Sequence, residues 1–293
     1  MENPVPIPVT AQELFEKEKW NYLTTGCSSI DQCLKGGLVK ESISEITGEA
    51  SAGKTQLAIQ IAIHSLLPED QHGCNGQAMY VCTESSFPYS RLKDEATYFC
   101  KSHTEFTVET ITESLYVHQL SSPEDLVSFI DSLDSHLSKD LRRVKLIVLD
   151  SIAALFRAEV NPDYLKRAEI LRHIYITMNH CCLYHGITFV IINQITSSIS
   201  EGYQQGSAVL PSLGNTVTQF THHRFMLCRR GSTYPSAAIF DLSNVKDIAM
   251  ENKNNVPSDL IRDFYVLFSP RLGPRRTSFT ITQDGVVALY LCL

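Results

Sequence analysis

No apolar run in these 293 residues reaches the length of a membrane span, and the polar, proline-rich opening MENPVPIPVT is not a signal peptide. No membrane partner is therefore expected. The nine cysteines include no CxxC spacing, which argues against a paired-cysteine metal site and predicts reduced thiols in the cytosol or nucleus. A basic excess is missing too: 25 Lys and Arg stand against 32 Asp and Glu, a formal net charge of −7. Proteins that grip nucleic acid unaided usually neutralise many phosphates, so strong solitary DNA binding is not expected. The single tryptophan, Trp20, reads as a packing anchor rather than a base-stacking platform. What remains, 43% hydrophobic and 19% charged residues, is ordinary for a chain with a substantial core.

Against these absences stands one complete motif, Gly48-Glu49-Ala50-Ser51-Ala52-Gly53-Lys54-Thr55, of the form GxxxxGK[ST]. Its glycines let consecutive backbone N–H groups curl around phosphate oxygens. Lys54 supplies a mobile cation for the β- and γ-phosphates, and the Thr55 hydroxyl suits Mg²⁺. The context agrees. Residues 42–47 (SISEIT) read as an entering strand, and 56–67 (QLAIQIAIHSLL) as a departing helix whose N-terminal dipole faces the anion. ATP and Mg²⁺ are the expected ligands.

The rest alternates as α/β chains do. Strands are expected at 78–83, 114–118, 144–149 and 187–192, the last two as buried parallel runs (VKLIVL, ITFVII). Ser122 and Pro123 open a helix that keeps Leu126, Phe129, Ile130, Leu133 and Leu137 on one face. A second helix runs from 163 to about 184. From 224 onward the pattern turns antiparallel, with strands at 224–228, 237–242, 264–268 and 278–282 and a polar loop at 244–257. There is no internal repeat. The reading is an α/β fold with a mostly parallel twisted sheet flanked by helices, arranged as an arm (1–23) and one domain (24–293).

Three strand ends carry candidate chemistry. Asp150 closes the VKLIVL run, where a carboxylate supports the Mg²⁺ shell or merely caps a helix; the upstream phosphate loop favours the metal role. Glu84, past another strand, could orient or deprotonate water, although alone such a residue is more often a solvated surface acid. Asn193-Gln194 could sense a γ-phosphate or form a turn. By contrast, His180, Cys181, Cys182 and His185 do not suit a metal, because adjacent helix positions face different ways. His222-His223 meets the same objection on a strand.

Taken in order, Thr25-Gly26-Cys27, Ile30-Asp31, Gly36-Gly37-Leu38, GEASAGKTQLA (48–58), AMYVCTESSF with Arg91, LIVLDS (146–151), INQIT (192–196) and LGNTVTQFTHHRFML (213–227) resemble the RecA-like recombinases. The eukaryotic branch is the most similar, from about residue 9 to 286. That resemblance implies a RecA-like P-loop ATPase core and a weak, DNA-dependent ATPase activity. It assigns Lys54 and Thr55 to phosphate and Mg²⁺, Asp150 to the metal, and Glu84 to water. Arg91 stacks on adenine, a cation–π role, and Gln194 is the γ-phosphate sensor leading into a DNA-facing loop. The implied role is a mediator subunit of homologous recombination, paired with a C-type recombinase paralogue and acting on the main recombinase filament and DNA. A nuclear location, shared with the cytoplasm, goes with it.

The sequence also departs from that family. No N-terminal helical domain precedes the core, which implies a truncated or naturally short chain. The first DNA-facing loop, after Arg157, is short and carries Glu159 and Asp163. The second, 196–214, has Glu201 and no Lys or Arg. Phe268 replaces an acid beside Ser269-Pro270, where relatives cap a neighbour's nucleotide. In the arm, Pro8-Val9-Thr10-Ala11 stands where filament-forming relatives carry Phe-x-x-Ala, a strand-adding anchor. Without the Phe, a heteromeric partner is expected rather than self-assembly. A bridging subunit with little ATP turnover and a self-assembling strand-exchange ATPase are the alternatives.

Overall fold

The computed structural model describes residues 10–13, 21–84, 86–139, 141, 143–156, 164–197, 209–211, 219–232, 246–247 and 256–289. Strand β1 (Tyr22–Leu23), helix α1 (Ser28–Leu34) and strand β2 (Leu38–Val39) form an entry module. Next come β3 (Ile43–Gly48), α2 (Lys54–His64), β4 (Gln77–Cys82), α3 (Tyr89–Ser102) and α4 (Val108–Glu113). β5 (Leu115–Gln119), α5 (Pro123–Ser138), β6 (Val144–Asp150), the short α6 (Ile152–Leu155) and the long α7 (Tyr164–His185) follow. Beyond them lie β7 (Thr188–Ile192), β8 (Ile195–Ser197), β9 (Val209–Pro211), β10 (His223–Arg229) and β11 (Lys246–Asp247). β12 (Ile261–Phe268), β13 (Arg275–Thr282) and β14 (Gly285–Ala288) close the order.

One sheet runs β11-β13-β12-β10-β3-β7-β6-β4-β5, with β14 on β13. From β10 to β5 every neighbour is parallel; β10, β12, β13 and β14 pair antiparallel. Period-two alternation explains the layers. On β4, β6 and β7, Ala78, Tyr80, Leu146, Val148, Val190 and Ile192 enter one core. Their neighbours Met79, Val81, Ile147, Leu149, Phe189 and Ile191 enter the other. Helices α2 and α3 cover the first face, and α5 and α7 the second.

The α5 terminus forms as its residues dictate: Ser122 Oγ accepts from the Asp125 N–H at 3.0 Å, and Asp125 returns the bond to the Ser122 N–H. Its buried stripe is Leu126, Ile130, Leu133 and Leu137, while Phe129 lies at the margin against His118. Other boundaries move. The phosphate-loop helix begins at Lys54 and stops at Ser65, because Cys74 and Asn75 turn back to bond Ser65 and Leu67 after Pro68. β5 starts one residue later than expected, since Ser114 caps α4 and bonds Ile111. A two-residue strand, Lys246–Asp247, interrupts the expected loop by pairing with Arg275–Arg276. The expected strand at 237–242 lies outside the described residues.

Candidate nucleotide site

Adjacent parallel strands deliver their C-terminal ends to one edge of the sheet, where α/β folds build their sites. Cys82 pairs in register with Asp150, and Asp150 with Ile192. That register gathers the phosphate loop, Glu84, Asp150 and Gln194.

The loop leaves β3 at Gly48, where a Cβ would lie 2.3 Å from the Leu227 carbonyl oxygen of β10. Only glycine tolerates that approach. Gly53, at φ +100°, caps α2, and Ser51 also adopts positive φ, so the backbone curls as an anion-binding loop requires. Lys54 is nearly buried and donates to the carbonyls of Gly48 at 2.9 Å and Glu49 at 2.7 Å. Burial pushes its ammonium below the ordinary lysine range, opposed by the carboxylates of Asp150, Glu84 and Glu49. Ala50 and Ser51 are exposed and Ala52 is buried. The Glu49 side chain has a further contact. Its carboxylate accepts from the backbone N–H of Arg229 at 2.7 Å and from that guanidinium at 3.2 Å, hooking the loop to β10.

Thr55 Oγ1 donates to Asp150 Oδ2 at 2.7 Å, and the Tyr80 hydroxyl donates to the same oxygen at 2.8 Å. Burial, followed by the Asp150 charge, holds the Tyr80 phenol well above its ordinary range, which keeps it a donor. A hydroxyl and a carboxylate side by side are hard oxygen donors, and they fit Mg²⁺. Glu84 and Gln194 also meet: Gln194 Nε2 donates to the two carboxylate oxygens at 3.1 and 2.8 Å. Arg91 presents the edge of its guanidinium to Glu95 Oε1 (2.8 Å) and to the carbonyls of Gln283 (3.0 Å) and Thr282 (2.9 Å). Those bonds fix the plane of the group at the β13–β14 turn.

Behind Gln194 lies a network that the motifs did not reveal. Asn193 Nδ2 donates to Glu45 Oε1 at 2.7 Å, and Arg224 Nε donates to Glu45 Oε2 at 2.9 Å, all inside the sheet. The sequence signal was present: a glutamate inside the apolar strand SISEIT requires a buried counter-charge. Tyr80 was hidden differently, as one more apolar-looking residue of a core strand.

Other expected features separate. His180 and His185 turn toward Asp134, at 3.8 and 2.8 Å, while Cys181 and Cys182 are buried, with thiols pushed up to about 11 and about 12 by burial. Phe268 ends β12 half-exposed. Within the second loop, 195–197 pairs antiparallel with 209–211. The remainder of that loop, the loop after Arg157 and Pro8–Val9 lie outside the described residues.

The parallel sheet, the curled loop and the strand-end residues define a RecA-like core. The chain belongs to the Rad51 family, whose description matches residues 16–251. Among its relatives, the DNA repair protein XRCC3 homolog of Arabidopsis thaliana is 30% identical over 292 residues, covering 91% of this chain and 93% of that protein. The DNA repair protein RAD51 homolog 3 of Dictyostelium discoideum is 33% identical over 221 residues, 71% of this chain and 57% of its own length. The mouse DNA repair protein XRCC3 is 27% identical over 290 residues, 95% and 80% respectively. The chain is thus a recombinase paralogue of XRCC3-like character.

Proposed function

We propose that the chain binds ATP with Mg²⁺ and acts as a mediator subunit in homologous-recombination repair of DNA double-strand breaks. Its partner in this reading is a C-type recombinase paralogue, and its targets are the main recombinase filament and DNA, in the nucleus and also in the cytoplasm. The observation that carries it is the convergence of Lys54, Thr55, Asp150, Glu84 and Gln194 on one sheet edge. Lys54 would exchange its loop carbonyls for phosphate oxygens, and Thr55 and Asp150 would hold Mg²⁺, which shields the phosphate charge when bound. Arg91 would offer its guanidinium face to the base, and Gln194 would register the γ-phosphate. The relatives' names as DNA repair proteins support the cellular role.

Assembly has a structural basis as well. β5 ends the sheet order with Tyr116 and Val117 exposed, beside a cleft of about 550 Å³ whose lining includes Met79, His118, Leu120 and Phe129. An edge strand next to a side-chain cleft is what strand addition by a partner's arm requires. The bridging alternative draws on the clasp of Gln194 on Glu84, which occupies the acid that hydrolysis would use.

The test is affinity purification of the chain from cells, with identification of its stoichiometric partners, alongside calorimetry of Mg·ATP binding. A recombinase paralogue at one-to-one stoichiometry and measurable ATP binding are expected. Isolation without any recombination protein would overturn the mediator reading.

A further inference from the structure

Glu95 shares the buried face of α3 with Leu92, Ala96 and Phe99 and is 3% exposed. One carboxylate oxygen, Oε1, accepts from Arg91 Nε at 2.8 Å. The other, Oε2, is buried and has no hydrogen-bond partner. An apolar side chain would complete that face without the penalty of a half-satisfied acid, so the orphaned oxygen marks a place for a bound partner. Glu95 lines a cavity of about 170 Å³ between α2, α3 and β14. Neither the phosphate loop nor Glu84, Asp150, Gln194 or Arg91 is among its walls.

The other walls select the ligand. Gln60 is already spent: its amide donates to the Thr25 and Val286 carbonyls at 2.9 and 3.0 Å and accepts from the Val286 N–H at 2.7 Å. His64 Nδ1 lies 2.9 Å from the Gln60 carbonyl, which can only accept. The imidazole proton is therefore on Nδ1, and Nε2 is an acceptor. Burial pushes this ring down to about 4, so it stays neutral near pH 7. Gly26, at φ +76°, leaves Nε2 its room, since a Cβ there would lie 2.6 Å away. Asp284 adds a second carboxylate to the lining, which contains no Lys or Arg. Such walls repel an anion and take an N–H donor. Phe99 adds an aromatic surface that attracts a cation. The size is that of one ring, because a cavity of about 150 Å³ holds benzene.

We propose that this cavity is a binding site for a small planar organic cation, a single-ring nitrogen base whose N–H donates to Glu95 Oε2. The site is separate from the nucleotide site and does not rest on the ATP reading. Around Glu95 the other charged or titratable groups are Arg91, Asp94 and Tyr98 on α3, His103 after it, His64 on α2 and Asp284 before β14. Burial pushes the free Glu95 carboxyl up to about 7, so a cation that pairs with it at about pH 6 expels a proton.

The experiment is calorimetry of the purified chain with 4-aminopyridine, which is protonated at neutral pH, and with aniline, its neutral isostere. The cation should bind saturably, at one per chain, and at least about tenfold more tightly than aniline. Glu95→Gln keeps the shape and removes the charge; it should weaken 4-aminopyridine at least about tenfold and leave aniline little changed. Glu69→Gln, on the exposed turn after α2, removes an equal charge outside the cavity and should match wild type. Ser102→Trp, at an exposed wall position, blocks the cavity without touching the acid and should abolish binding of both compounds. At about pH 6 the heat of cation binding should vary with the ionisation enthalpy of the buffer, as proton release requires. Absence of saturable binding to wild type, equal affinity for the two compounds, or undiminished cation binding by Glu95→Gln or by Ser102→Trp would overturn the proposal. A heat independent of buffer would remove Glu95 as the contact and overturn it equally. Displacement of the cation by saturating Mg·ATP would merge the cavity with the nucleotide site and overturn their separation. Lys54→Ala should keep wild-type affinity for 4-aminopyridine whether or not it binds ATP, which keeps the two readings distinguishable.

Discussion

Lys54 already spends its donors on two carbonyls of its own loop, so nucleotide binding is an exchange of partners rather than a new desolvation. Its removal leaves phosphate oxygens without their main cation, a loss on the order of 2–5 kcal/mol. Lys54→Ala should weaken Mg·ATP binding at least about tenfold, read by calorimetry on a folded variant. Glu84→Gln should keep binding and lower turnover, if wild type turns ATP over; equal rates in a single-turnover assay would remove Glu84 from catalysis. A second pair of residues makes a pH argument. Burial pushes the Glu95 carboxyl up to about 7, against the opposing pull of Arg91, and pushes nearby His64 down to about 4. Both line a cavity of about 170 Å³. Between roughly pH 4.5 and 7 the unfolded chain ionises Glu95 while the fold keeps it protonated, so Glu95 lowers stability as pH rises. His64 acts oppositely between roughly pH 4 and 6.5: the unfolded chain binds its proton and the fold does not. Their slopes offset one another in wild type. Glu95→Gln should expose the His64 slope, and its stability relative to wild type should climb by up to about 1.4 kcal/mol per pH unit in urea melts.

At the level of elements, the buried Glu45–Arg224 pair couples β3 to β10, and Asn193 ties both to the turn that carries Gln194. Arg224→Ala strands a carboxylate inside the sheet and should cost about 3–5 kcal/mol, measured in urea. Adding Glu45→Gln to that variant should recover part of the loss; no recovery would mean that Arg224 acts through packing alone. This scale also shows what the residues disclosed. β6 and β7 were legible because a strand buried on both faces reads as an unbroken apolar run. α5 was legible because its cap and stripe are local. α3 was not, since Glu95 sits within its buried stripe of Leu92, Ala96 and Phe99 and breaks the apolar period. The phosphate loop needed no tertiary information. The clasp between Glu84 and Gln194, 110 residues apart, needed the strand order. The side-chain role of Glu49 was not legible either: its carboxylate tethers the loop to Arg229, 180 residues away.

For the whole molecule, the acidic balance and the cation-free loop at 196–214 predict weak single-strand binding by the isolated chain at physiological salt, where few counterions are released. Nanomolar affinity near 150 mM salt, about the ionic strength of cells, would contradict this. Light scattering with Mg·ATP should show a defined heterodimer with a paralogue rather than long homopolymers. Deleting residues 1–20, which stops short of β1 and its buried Leu23, should disrupt one partner interface and leave the core folded.

The phosphate-loop strand β3 lies between β7 and β10, and its register partners are Val190 and His223 for Ser44. Neither neighbour is close in the chain. During synthesis the nucleotide-binding strand therefore emerges with both edges open and with Glu45 unneutralised, and it waits for more than half the polypeptide. Such long-range closure is slow and exposes apolar strands to misassembly. Ribosome-released fragments ending at residue 210 should be fully sensitive to protease and dependent on chaperones, whereas chains extending through β14 resist digestion. The phosphate loop is thus among the first parts of the chain to be made, yet its strand gains both neighbours only when β7 and β10 have followed.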